Sequence, residues 1–259
     1  MSSKSTSEKP NYSALADIYD LVMADVDYET WADYIDEIIL EHNPETSDIL
    51  ELACGTGTIA LSLEELDCYT ITATDGSAQM VQKAIEKGER VHSEIEFLTM
   101  DFLDIRLQKT FDVVFMVFDS INYLHTEDEI IQLHAQVKNI LKPGGIFIYD
   151  FTTPRNSRKA IQFLNNDQKE INGQTRYFRE STFDAKNRIH TNYFRIIKDS
   201  ALNRGKEEVF EEKHHQKIYT HKEMLSIIKK TDFTILQAYD GFELRPAHER
   251  SLRITMVLQ

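Results

Sequence analysis

Glu51-x-x-x-Gly55-x-Gly57 closes an apolar run at 49–53 and is followed by Ile59-Ala60-Leu61-Ser62-Leu63, apolar at helical spacing. The order reads as strand, glycine turn, helix. Glycines at 55 and 57 let the backbone turn sharply and approach a ligand where a Cβ would collide, and the helix start offers unpaired N–H groups. A nucleoside-bearing cofactor fits such a turn. Gly55-x-Gly57-x-x-Ala60 also fits a nicotinamide dinucleotide, so the turn alone leaves the cofactor open.

A turn of this kind must sit at the edge of a parallel sheet. Strands are expected at 49–53, 69–74, 95–99, 113–118 and 146–151, with helices at 58–65, 77–87 and 126–141, the last opened by the capping box Thr126-x-x-Glu129. Such alternation predicts a sheet with helices on both faces and right-handed crossovers. Upstream, Tyr12, Leu15, Ala16 and Tyr19 make a short helical pattern, and Thr30 is expected to cap a helix carrying Trp31, Tyr34, Ile35, Ile38 and Ile39 until Asn43-Pro44 stops it.

After residue 151 the period changes to two. Strands at 177–183, 189–197 and 207–219, separated by polar turns at 184–187 and 200–205, predict an antiparallel insertion. Thr220-x-x-Glu223 then caps a helix, and strands at 233–239 and 252–258 close the chain. The expected division is a disordered tail at 1–10, a cofactor-binding domain from 11–155 and 216–259, and an inserted β subdomain at 156–215.

The chain has 259 residues with a formal net charge of −14. That balance makes long contact with a phosphate backbone costly, and Arg155-x-x-Arg158-Lys159 and Lys229-Lys230 are too short to offset it. Cys54 and Cys68 are the only cysteines, so no disulfide framework is expected; with no membrane-length apolar run, a cytoplasmic protein is. Cys54 reads as a small buried residue. His214 and His215 adjoin on an expected strand and point to opposite faces, so they cannot chelate a metal together.

In order and spacing, Leu50-Glu51-Leu52-Ala53-Cys54-Gly55-Thr56-Gly57, then Asp75-Gly76-Ser77-x-x-Met80 after the second strand, Met100-Asp101-Phe102 after the third, Phe111-Asp112-Val113-Val114 at the fourth and Leu141-Lys142-Pro143-Gly144-Gly145 before the fifth resemble the class I S-adenosylmethionine-dependent methyltransferases. The resemblance covers the chain from near Tyr12 to its end, more weakly through the insertion. It implies an α/β fold: a Rossmann-like, seven-stranded, mostly parallel sheet with helices on both faces, plus the antiparallel β insertion after strand five.

It also distributes roles. Asp75 is expected to accept both ribose hydroxyls, with Gly76 beside it, and Asp101 to take the adenine amino group between Phe102 and Met80. Glu51 favours the ammonium and sulfonium groups, Ala53, Gly55 and Gly57 form the turn, and Tyr19 and Phe118 complete the cofactor set. The loop after strand four supplies Asn122 and Tyr123 to hold an acceptor and His125 as a base; the plain alternative is a helix-capping loop with His125 on the surface. Tyr12, in a segment that looks like the lid helix of small-molecule members, Asp119 and His214 are expected at the substrate.

The function expected is methyl transfer from S-adenosylmethionine to a small molecule, nitrogen favoured over oxygen, by a monomer or homodimer without a metal. The layout resembles N-methyltransferases acting on amino sugars or glycine. Rival readings are a tRNA-modifying methyltransferase, a non-catalytic S-adenosylmethionine-binding module and a dinucleotide-dependent oxidoreductase.

Overall fold

The stripe of Trp31, Tyr34, Ile35, Ile38 and Ile39 needs an apolar partner, and the fold supplies one face of a central sheet. The computed structural model describes residues 12, 14–171, 173–199 and 207–259; the tail at 1–10 and the turn at 200–205 lie outside them. A 3-10 turn, Leu15–Ile18, leads into α1 (Tyr19–Val22) and α2 (Tyr28–His42). Asp27, not Thr30, caps α2: its carboxylate accepts the Thr30 N–H at 3.0 Å and the Thr30 hydroxyl at 2.8 Å, so Thr30 falls inside the first turn.

Strand and helix then alternate through β1 (Asp48–Leu52), α3 (Thr58–Glu64), β2 (Thr70–Asp75), α4 (Ala78–Val91), β3 (Glu96–Thr99), β4 (Phe111–Met116), α5 (Glu127–Ile140) and β5 (Leu141–Thr152). Next come α6 (Pro154–Leu164), β6 (Asp167–Ile171), β7 (Thr175–Asp184), β8 (Ile189–Asp199) and β9 (Glu207–Lys217), then α7 (His221–Ile228), β10 (Ile235–Asp240), β11 (Glu243–Pro246) and β12 (Arg253–Leu258). Both expected capping boxes form, at Thr126–Glu129 and Thr220–Glu223.

The large sheet runs β11-β10-β12-β5-β4-β1-β2-β3. Strands β5, β4, β1, β2 and β3 are parallel, and β12 enters antiparallel between β5 and β10. The seven expected strands are joined at one edge by the short β11. One face packs with α5 and α7 through residues such as Leu133, Val137, Met224 and Ile228; the other packs with α2 and α3.

Strands β6-β7-β8-β9 form a separate antiparallel sheet. Neither β6 nor α6 was expected from the sequence. Its apolar residues Ile171, Tyr177, Phe194 and Ile196 pack on Ala14, Leu15 and Ile18, so the N-terminal segment lies between the small sheet and the open edge of the large one.

Candidate functional site

Parallel strands present their C-terminal ends at one edge of the sheet, and the turn after β1 is built there. Ala53 and Gly55 take left-handed backbone, φ 56° and 55°, and the Gly55 N–H donates to the Asp75 carboxylate at 2.9 Å. The other Asp75 oxygen accepts the Ser77 N–H at 2.8 Å. Asp75 therefore ties the glycine turn to the start of α4, and burial raises its pKa against the pull of those two donors.

A cavity of about 300 Å³ opens over this edge. Tyr19, Glu51, Ala53, Gly55, Asp75, Gly76, Met80, Asp101, Phe102 and Phe118 all line it. Gly57 does not. It caps α3 at φ 74°, and a Cβ there would lie 2.7 Å from the Phe97 ring, so its glycine serves helix packing rather than ligand approach.

Glu51 is 2% exposed, and its Oε2 has no hydrogen-bond partner among the described residues. Burial drives its pKa well up, opposed by the Ala60 N–H at the start of α3 and assisted by the nearby Asp75 charge. A buried carboxyl with an unused oxygen facing a cavity is suited to a cationic group. Asp101 is exposed, one oxygen bound to the Leu103 N–H at 2.8 Å and the other turned free of that contact.

A second cavity, of about 290 Å³, lies under the small sheet. Tyr12, Tyr19, Phe118 and Tyr123 belong to the walls of both, so the two cavities meet at four aromatic rings. Phe118 and Asp119 stand there in left-handed backbone, φ 59° and 51°, a costly state for non-glycine residues. Surrounding contacts enforce it: Phe118 stacks on Trp31 at 4.3 Å, the Asp119 N–H donates to Asp150 at 3.1 Å, and the Asp119 carboxylate accepts from Gln216 at 2.7 Å and Arg253 at 2.5 Å.

The Tyr12 and Tyr123 hydroxyls are 2.7 Å apart, Tyr123 lies 2.9 Å from His214 Nδ1, and His214 Nε2 lies 3.1 Å from Glu212. Glu212 also accepts the backbone N–H groups of Tyr12, Ala14 and Leu15, at 2.8, 2.5 and 3.0 Å. Burial works against its charge, but His214 and these N–H groups outweigh it and hold its pKa low. The proton order follows. Glu212 can only accept, so His214 carries its proton on Nε2, Nδ1 accepts from Tyr123, and Tyr12 donates to Tyr123. The Tyr12 oxygen keeps its lone pairs for a ligand.

Besides Gly57, three expected site residues need correcting. Asn122 is fully buried and lines neither cavity: it donates to the Lys217 carbonyl at 2.7 Å and accepts the Thr152 N–H at 3.1 Å, pinning the loop to β5 and β9. His125 is exposed, its Nε2 on the His215 carbonyl at 3.0 Å, and lines neither cavity. The plain alternative holds for it. His214 stands behind Tyr12 and Tyr123 rather than at the cavity surface. Conversely, Asn156, Ser157, Arg179, His190, Asn192, Gln216 and Arg253 line the second cavity without having been expected. The one local signal was Asp150, an acid inside the apolar run at 146–151, which pairs with Arg253.

Among the described residues no helix is long and apolar enough to cross a membrane, and no group of three metal-ligating side chains is assembled. Residues 49–145 match the family described as "Methyltransferase domain". YqeM of Bacillus subtilis (strain 168), provisionally named a methyltransferase, is 29% identical over 86% of this chain and 87% of its own length. A dTDP-3-amino-3,4,6-trideoxy-alpha-D-glucopyranose N,N-dimethyltransferase of Streptomyces venezuelae is 28% identical over 52% of this chain and 56% of its own. The structure of an S-adenosylmethionine-dependent methyltransferase from Clostridium acetobutylicum ATCC 824 superposes with a TM-score of 0.76 at 27% identity, covering 96% of this chain and 98% of that one.

Proposed function

We propose that this chain, which belongs to the class I S-adenosylmethionine-dependent methyltransferases, transfers its methyl group to a nitrogen of a small molecule seated in the second cavity. The observation that carries this reading is the aromatic wall common to both cavities, where Tyr12 and Tyr123 face each other at 2.7 Å. A nitrogen acceptor is favoured by that tyrosine pair with its acid-backed histidine, and the Streptomyces venezuelae relative is named for dimethylating an amino sugar.

The residues of the first cavity fit the cofactor: Asp75 for the ribose hydroxyls, Asp101 with Phe102 and Met80 for adenine, and the unsatisfied Glu51 oxygen for the ammonium. When bound, S-adenosylmethionine supplies a methyl group already activated on a sulfonium, so no group on the protein need act as a nucleophile. The protein's task is alignment and exclusion of water, which can contribute on the order of 7 to 11 kcal/mol. The Tyr12 oxygen accepts an N–H of the acceptor and turns its lone pair toward the first cavity. An ammonium acceptor must also lose a proton. The pair Tyr12 and Tyr123 can pass it to His214, where the imidazolium formed is paired with Glu212. Asp119, fixed by Gln216 and Arg253, sets the wall opposite.

Two outcomes are expected. Tyr123→Phe should leave S-adenosylhomocysteine affinity unchanged and lower amine methylation roughly hundredfold, by interrupting the proton path; single-turnover assays with calorimetry check this, and unchanged turnover contradicts the path. Glu51 should release a proton when the cofactor binds. Its pKa is raised by burial, and an ammonium beside it favours the carboxylate, so cofactor binding should draw the group toward its ionised form. Affinity should therefore rise with pH until Glu51 is ionised in the free protein. Calorimetry in buffers of different ionisation enthalpy should count that proton, and Glu51→Gln should abolish it.

A further inference from the structure

The geometry points to an acceptor that carries an oxyanion, a carboxylate or a phosphate, received in the second cavity by Arg179 with the hydroxyls of Tyr177 and Ser157. This rests on the amine-methyltransferase reading and adds the substrate class.

Two guanidiniums line that cavity, and they differ. Arg253 is neutralised, bound to Asp119 at 2.5 Å and to Asp150. Arg179 has no carboxylate partner among the described residues. Its Nε and Nη2 both donate to the single Asn192 side-chain oxygen, at 3.1 and 2.9 Å, and its cation lies over the Phe194 ring at 5.3 Å. Asn192 is itself held, accepting from the Ser181 hydroxyl at 2.9 Å, which in turn meets His190 at 2.7 Å. The guanidinium is thus fixed by neutral groups; Asp167 stands opposite it in the β6–β7 register, but among the described residues no carboxylate makes an ion pair with it.

Beside it are hydroxyls with nothing to bind. Tyr177 Oη is buried without a hydrogen-bond partner, and the adjacent Arg179 could only donate to it, so its O–H still lacks an acceptor. Burial raises that phenol to about 12, so it stays a neutral donor. Ser157 Oγ, on the first turn of α6 and 1% exposed, has no partner either. Buried polar groups are ordinarily satisfied, and unsatisfied donors facing a cavity together with an unpaired guanidinium define an acceptor-rich, negatively charged guest. In a chain of net charge −14, leaving this cation unpaired selects against amines that lack an anionic group.

The test uses the full chain saturated with S-adenosylhomocysteine. Calorimetric titration with inorganic phosphate and, separately, acetate should show saturable binding of at least one, which tells phosphate from carboxylate. Arg179→Gln should weaken it tenfold or more, Arg179→Lys should restore part of it, and Ser157→Ala should cost a few-fold, with S-adenosylhomocysteine binding as the folding control. In methylation assays, O-phosphoethanolamine should exceed ethanolamine, or β-alanine exceed propylamine, by at least tenfold in kcat/KM. If neither anion binds, or Arg179→Gln binds as the parent does, the inference is overturned, and methylation of the uncharged amines would then leave the amine reading standing. If an anion binds through Arg179 but no amine is methylated, the anion site holds and the amine reading fails.

Discussion

Asp75→Ala is expected to weaken S-adenosylhomocysteine binding roughly 10²- to 10⁴-fold, since two hydrogen bonds from ribose hydroxyls to a charged carboxylate are worth about 1.5 to 3 kcal/mol each. The carboxylate already holds Gly55 N–H on one oxygen and Ser77 N–H on the other, leaving further lone pairs directed at the cavity. The variant therefore loses the ribose contacts and also frees two backbone donors at the turn, so a lowered melting temperature should accompany the weaker binding. Asp75→Asn separates little, because its amide nitrogen must face one of those N–H groups. Calorimetry on the folded variants checks the effect, and undiminished affinity in Asp75→Ala would remove the ribose role from this residue.

Arg253→Met should be the most damaging substitution for stability, costing about 3 to 5 kcal/mol by leaving the buried Asp150 carboxylate beside the half-buried Asp119 without their shared cation. Arg253 binds Asp150 and Asp119 and lies 5.3 Å from the Trp31 ring, so it joins the last strand, β5, the loop after β4 and α2. Burial outweighs the Arg253 attraction at Asp150 and raises its pKa to about 6, with the Asp119 charge adding to the rise. A carboxyl whose folded pKa lies above its unfolded value stabilises the protein at low pH, and that contribution fades as pH rises through the folded value. Without the guanidinium the folded value moves higher still. The stability deficit of Arg253→Met should thus be smaller near about pH 5 than near about pH 8, as denaturant unfolding at the two values will show; an equal deficit would mean that the acids are not the cause.

Much of the cofactor edge was legible because its determinants are local. Glu51, Gly55 and Asp75 each sit at a strand end whose apolar run is visible in the sequence, and alternation of strand and helix brings those ends together. The second cavity and the loop beside it were not legible in the same way. Asn122 and His125 sit in a loop whose side-chain directions depend on the Lys217 carbonyl, the Thr152 N–H and the His215 carbonyl, all supplied from distant segments. Arg179 and Ser157 share a cavity only because α6 packs on β7, and β6 beyond it, Asp167 to Ile171, is polar at both faces except at its end. Thr30 and Asp27 are equally good caps by residue type, and the helix starts from Asp27, three residues earlier.

Incubation with methyl-labelled S-adenosylmethionine and a panel of anionic amines, hydroxy compounds and tRNA, followed by product analysis, tests methyl transfer to nitrogen most directly. Label on the nitrogen of an amine, reduced roughly hundredfold in Tyr123→Phe, is the result predicted. Label on oxygen or in tRNA, or no transfer to any acceptor by a chain that binds the cofactor, would contradict it.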